Sequence, residues 1–252
     1  MHCAIISNSI TDLQYSGVLM SKDIRKARRA RLNERLGALR DRVRVLELEL
    51  TDYTSEFYRV CIFGSARIKP DDTMYKLTQE LGEHLGAMGI DVLTGGGPGL
   101  MEAANKGVLA GKLKSGTRSK SYGLTIELNK FEEEASEHLD IKHHHRRFSS
   151  RLDDFMRLSN SVVVMRGGVG TVLELFFTWQ LIQVGHMPNR PFILVDKKFW
   201  QGLIDWMNES LVQNGLVSPG DMDFVELVDT PEEAAEIIRL DFESFKQEKD
   251  KI

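Results

Sequence analysis

Cysteine is nearly missing from this chain. Only Cys3 and Cys61 carry a thiol among 252 residues, which rules out a disulfide framework and makes a reducing compartment the simpler expectation. The first residues lack a basic segment followed by a long apolar run, so no secretory signal is expected. No apolar stretch approaches the ~20 residues needed to cross a bilayer. No excess of one charge sign dominates either: 33 Lys and Arg stand against 37 Asp and Glu, a formal net charge of −4. That mild acidity gives no global reason to expect nucleic acid as a partner. No internal repeat is visible. What remains is a soluble, cytoplasmic protein with enough chain for one sizeable α/β domain and a short appendage.

The most informative stretch runs from Val162 to Glu174. Val162-Val163-Val164-Met165 reads as a strand buried on both faces of a sheet. Gly167, Gly168 and Gly170 then make a tight turn where backbone can approach a ligand. From Thr171 to Gln180 the apolar spacing is helical. A strand, a glycine turn and a helix N-terminus aim bare N–H groups and a positive dipole end at one spot, a natural seat for phosphate. Glu174 lies one turn into that helix, on the rim of the seat. A carboxylate does not help to hold an anion, so its placement points to chemistry.

Ahead of the α/β core, residues 1–21 show no sustained period and are expected to be irregular. Leu32, Leu36, Leu39, Val43, Leu46 and Leu50 then alternate steps of four and three, a heptad seam on one helix. Arg25, Lys26, Arg28, Arg29, Arg31, Arg35, Arg40, Arg42 and Arg44 make its surroundings strongly basic. A polyanion-binding arm is one reading of those cations. Packing against a domain or a second subunit is the one the seam favours. The expected organisation is an N-terminal segment, 1–56, carrying this helix, followed by one domain, 57–252.

In that domain, Arg59 to Phe63 reads as a first buried strand, and Gly64-Ser65 after it suits a ligand-facing loop at the carboxyl edge of a parallel sheet. Tyr75 to Met88 is an amphipathic helix stopped by Gly89. Ile90 to Thr94 is a second strand running into Gly95-Gly96-Gly97-Pro98-Gly99, which opens another helix. This second phosphate-compatible loop matches neither common nucleotide fingerprint. It lacks the Gly-Lys-Ser/Thr of a P-loop, and Glu102 stands where a dinucleotide loop wants its third glycine. An ATPase or a dehydrogenase is therefore disfavoured.

Lys112 to Lys120 reads as a polar, basic loop, and Ser121 to Leu128 as the next strand. His143, His144 and His145 are consecutive, so neighbours on a strand point to opposite faces. No Cys or acid cluster of matching spacing accompanies them, and no metal or other cofactor is expected. Arg146 to Leu158 is a helix, followed by the strand and turn already described. Pro191 to Val195, Phe199 to Asn214 and Phe224 to Val228 continue as strand, helix and strand. Thr230-Pro231 is an N-cap with proline at the first helical position of a last helix. The alternation predicts a doubly wound parallel sheet.

Gly95-Gly-Gly-Pro-Gly-Leu-Met101 together with Gly167-Gly-Val-Gly-Thr-Val-Leu-Glu174 resembles the paired signature of the LOG (Lonely Guy) family. Its members were long labelled lysine decarboxylases, and the characterised ones are nucleoside 5′-monophosphate phosphoribohydrolases. The likeness runs from about Arg59 to about Ile238 and includes Cys61-Ile-Phe-Gly-Ser-Ala66, Tyr122-Gly-Leu-Thr-Ile-Glu-Leu128 and Phe148-Ser-Ser-Arg151. The resemblance implies a modified Rossmann fold and a homodimer or higher oligomer with active sites near the subunit boundary. It also implies Arg151 and Glu174 as catalytic residues. By the same likeness Gly167, Gly168, Gly170 and Thr171 would form the phosphate loop, and Arg166, though it departs from the family, stands beside it as a further phosphate-binding candidate. Thr94, Gly95, Gly96 and Gly97 would make the other glycine wall, and Gly64 and Ser65 the loop after the first strand.

The activity so implied is an N-glycosidase reaction, nucleoside 5′-monophosphate plus water giving free base and ribose 5-phosphate. Its transition state is oxocarbenium-like at C1′, which a carboxylate stabilises. Lysine decarboxylation has no support, because nothing resembles a pyridoxal-phosphate lysine with its ring partner. Two positions depart from the family: Arg166 replaces the proline before the glycine pair, and Leu152 replaces the lysine after the arginine. Arg166 loosens the turn and puts a cation beside the seat, where it either reads an additional phosphate or fills the pocket. A nucleotide-binding protein without turnover, and a carrier of a phosphorylated cofactor, are the alternatives.

Overall fold

Alternate residues of the first strand, Arg59–Phe63 (β1), serve opposite faces of one sheet. Val60 and Ile62 pack into one core cluster, Cys61 and Phe63 into the other. Every residue of β1 is buried, as a strand covered by helices on both sides must be. The computed structural model describes residues 24–40, 42, 43, 46, 57–126, 136–249 and 251. Residues 1–21, Leu50 of the heptad seam, and the expected strand end at Glu127 and Leu128 lie outside these.

The chain divides into two units, Met1–Thr54 and Ser55–Ile252. In the first, helix α1 covers 24–40, and residues 42, 43 and 46 are also helical. In the second, β1 is followed by helix α2 (Thr73–Ala87), strand β2 (Asp91–Thr94), helix α3 (Leu100–Ser115), strand β3 (Ser121–Ile126) and strand β4 (Ile141–His145). Helix α4 (Phe148–Leu158), strand β5 (Ser161–Val164), helix α5 (Val169–Gln183), strand β6 (Phe192–Val195) and helix α6 (Lys197–Trp206) come next. A wider turn over Met207–Val212 extends α6, and strand β7 (Glu226–Val228) and helix α7 (Pro231–Lys249) finish the unit. The Thr230 hydroxyl accepts the Glu233 N–H at 3.2 Å, the cap expected for α7.

The seven strands among the described residues lie in one sheet, in the order β4-β3-β2-β1-β5-β6-β7, and every pairing is parallel. The chain moves outward from β1 to β4, then returns to lay β5 beside β1. The crevice between the carboxyl ends of β1 and β5 is therefore the topological switch point, where ligands of open α/β sheets bind. One core cluster fills the face under α2, α3 and α7; the other lies under α4, α5 and α6. Among the described residues no helix is long and apolar enough to cross a membrane.

One segment differs from expectation. Lys112 and its neighbours extend α3 to Ser115 instead of forming a loop. The helix packs so closely on α2 that a Cβ at Gly107 would lie 2.0 Å from the Gln79 carbonyl oxygen. The histidine run is a strand, β4, on the sheet edge, paired with β3.

Candidate functional site

Backbone hydrogen bonds tie three loops together at the carboxyl edge of the sheet. The Ser65 N–H, just after β1, donates to the Arg166 carbonyl just after β5 at 3.0 Å, and the Ser65 carbonyl accepts the Leu100 N–H at the start of α3 at 3.0 Å. The Ser65 hydroxyl accepts the Arg67 N–H at 3.1 Å, so the side chain shapes its own turn. Gly64 lies beneath, where a Cβ would come within 2.9 Å of the Leu100 Cβ.

The two glycine loops have different surroundings. Gly95, Gly96 and Gly97 are buried. Thr94 is buried beneath them, and its hydroxyl accepts the Gly96 N–H at 3.0 Å while donating to the Asn105 side chain at 3.1 Å. Thr94 therefore supports the loop from below. Gly99 has φ +70°, and a Cβ there would lie 2.4 Å from the Ser65 carbonyl oxygen, so only glycine lets the loop close on Ser65. The second loop is open: none of the described residues lies within 4 Å of a Cβ built at Gly168 or Gly170, and Val169 is 88% exposed. Gly167 packs on the buried Thr171. Gly168 is the N-cap of α5 and no side chain caps that end. The first N–H groups of α5 thus face outward beside the crevice, as an anion seat requires.

Arg151 and Glu174 meet between these loops. Arg151 projects from the first turn of α4. Its Nε donates to the Leu124 carbonyl at 2.6 Å, and its Nη2 donates to the Gly95 carbonyl at 3.4 Å. Its Nη1 stands 3.8 Å from Glu174 Oε1 on α5, and both side chains are largely buried. The guanidinium also lies 5.1 Å from the centre of the Phe155 ring, a cation–π contact. A Cβ at Gly95 would sit 2.4 Å from Nη2, so the glycine there makes room for the arginine. The arrangement fixes a carboxylate near the N-terminal end of α5, with a delocalised cation beside it.

Arg166 is directed away from the crevice, toward β6. Its Nε donates to Asp196 Oδ2, and its guanidinium lies 5.9 Å from the centre of the Phe199 ring. Asp196 is the residue that sequence reasoning missed. Its place before a helix reads as an ordinary N-cap, and its pairing is to a residue 30 positions away. Leu152, in place of the expected lysine, is half-buried on α4.

His143 and His144 are exposed, whereas His145 is buried next to the site helix. Its Nδ1 is 3.4 Å from the Ser150 hydroxyl and its Nε2 is 3.6 Å from Asp154 Oδ2. Burial pushes the His145 pKa down from 6.5, with Asp154 opposing and Arg151, His143 and His144 reinforcing. As pH falls through 6.5 the unfolded chain takes up this proton before the folded one, so stability is lost from there down to the folded value. Replacing His145 with glutamine should flatten the decline of Tm between pH 7.5 and 5.5. An undiminished slope would assign the acid sensitivity to other groups.

A model of the family described as possible lysine decarboxylase matches residues 101–238. The cytokinin riboside 5′-monophosphate phosphoribohydrolase of Mycobacterium tuberculosis is 36% identical over 77 residues, which is 30% of this chain. The match spans 40% of that relative's own length. The fold is shared with the molybdenum cofactor binding protein of Rippkaea orientalis, at TM-score 0.52 and 23% identity over 74% of this chain and 98% of that one. It is also shared with the molybdenum cofactor carrier protein of Chlamydomonas reinhardtii, at TM-score 0.52 and 19% identity over 73% of this chain and 97% of that one. The family match covers more than half of the chain and includes Arg151, the Gly167–Thr171 turn and Glu174. On that ground the chain belongs to the LOG family, whose model still carries the description of a possible lysine decarboxylase.

Proposed function

We propose that the protein hydrolyses the N-glycosidic bond of a nucleoside 5′-monophosphate, releasing free base and ribose 5-phosphate. The observation that carries this reading is the Arg151–Glu174 pair, 3.8 Å apart, next to the open N-terminus of α5. Phosphate on the Gly168–Thr171 end of α5 anchors the ligand remotely from the bond that breaks, and that binding energy positions the sugar. Glu174, one turn further along, faces the developing positive charge at C1′. Its carboxylate stabilises that charge and takes the proton of the attacking water. The water oxygen bonds to C1′ as the C1′–N bond breaks. The base leaves with the bonding electron pair and takes a proton from solvent. Arg151, held by two backbone carbonyls, keeps Glu174 aimed. The direct test is base release from a panel of nucleoside 5′-monophosphates. If monophosphates bind and no member of the panel yields base, the protein is a nucleotide-binding module and the hydrolase reading fails.

Self-association is part of the same proposal. Leu32, Leu36, Leu39, Val43 and Leu46 are all about half exposed on α1 and its continuation, an apolar seam that a second copy covers in this reading. Full-length protein with Leu36→Asp and Leu39→Asp should fall to a smaller assembly by light scattering. An unchanged mass would locate self-association elsewhere.

A further inference from the structure

The residue before the phosphate loop is a cation whose charge is already engaged. Arg166 Nε donates to Asp196 Oδ2, with the arginine side chain 43% exposed and the aspartate only 9%. Asp196 is built for this contact at a local cost. It is the one non-glycine residue with positive φ, +88°, among those described, a conformation that Asp and Asn adopt more readily than other side chains. Its other oxygen, Oδ1, accepts the Phe199 N–H at 3.1 Å and caps α6. Its own N–H donates to the Val228 carbonyl at 2.8 Å, anchoring it to β7. The guanidinium is therefore drawn over the Phe199 ring, at 5.9 Å, toward α6 and away from the switch-point crevice.

We propose that Asp196 is a specificity-determining positioning residue: it holds Arg166 off the glycine loop, so that the loop accepts one phosphate group and not two. Arg166 adjoins Gly167 directly, so a released side chain swings over the same turn. There its planar fork of donors matches a second phosphate. The inference rests on the reading of the Gly167–Thr171 turn as a phosphate seat. It does not depend on turnover.

Asp196→Asn tests it, because asparagine tolerates positive φ and still caps a helix, and only the charge that holds Arg166 is removed. The probes are inorganic phosphate and inorganic pyrophosphate, titrated by calorimetry into wild-type protein, Asp196→Asn, and the double variant with Arg166→Gln. Wild type should bind phosphate in preference to pyrophosphate, and equal affinity for the two would overturn the inference. Asp196→Asn should shift the ratio about tenfold toward pyrophosphate, the effect of one added charge-assisted hydrogen bond. The double variant should return to the wild-type ratio. An unchanged ratio in Asp196→Asn with an unaltered circular dichroism spectrum would overturn the inference, as would a shift that persists in the double variant. Wild-type protein that binds neither ion would overturn it together with the phosphate seat. Absence of base release from every monophosphate, alongside the predicted shift, would sink the hydrolase reading and leave this inference standing.

Discussion

Glu174→Gln should lower base release from a nucleoside 5′-monophosphate roughly 10³-fold, the scale expected when one group that stabilises transition-state charge and accepts a proton is lost. Glutamine keeps the shape of the side chain and the helix propensity of α5, so ligand affinity should stay within a few fold. The loss therefore belongs in kcat, since the carboxylate serves charge that develops only as the C1′–N bond breaks. Steady-state kinetics set beside calorimetric ligand affinity separates the two. Loss of affinity in step with rate would make Glu174 a binding residue. An undiminished rate would remove it from the chemistry.

Arg151→Lys should be almost as damaging, and in two ways at once. The guanidinium reaches the Leu124 and Gly95 carbonyls and Glu174 together. An ammonium has no planar fork and cannot keep that set. We expect kcat to fall about 10²-fold as Glu174 loses its orientation. Loss of the buried hydrogen bond to Leu124 should cost about 1.5–3 kcal/mol, a fall in Tm of about 3–12 °C for a domain of this size. Thermal denaturation and steady-state kinetics on one preparation read both. A variant equally stable but slow would confine Arg151 to the chemistry, and one unstable but fully active would confine it to the scaffold.

The parts of this site that were legible in the sequence are those whose signal is local. The apolar run Val162–Met165, the glycines after it and the helical spacing beyond fix a strand, a turn and a helix within a few residues. Gly95–Gly99 announces its loop in the same way. Their meeting point followed from alternation alone, because a doubly wound parallel sheet puts every such turn on one edge. What stayed hidden depends on distant partners. Nothing around Arg166 announces Asp196, the cap of α6 just past the next strand, and the proximity of Arg166 to the glycines suggested the opposite orientation. Lys112 to Ser115 looked like loop because the stretch to Lys120 is polar and basic, yet lysine and leucine are good helix formers and carry α3 on to its left-handed cap at Gly116. The histidine run lies on an edge strand paired with β3, and its last ring contacts Ser150 at the start of α4, a partner that the spacing alone did not reveal.

The carboxyl-edge crevice should break the bond between base and ribose while the phosphate ester stays whole. Turnover of a nucleoside 5′-monophosphate in ¹⁸O-labelled water, followed by mass spectrometry, tests that most directly. The prediction is unlabelled base and ribose 5-phosphate in equal amounts, with one labelled oxygen at C1′ and none in the phosphate. Labelled inorganic phosphate and intact nucleoside would contradict it, as would a bound monophosphate recovered unchanged.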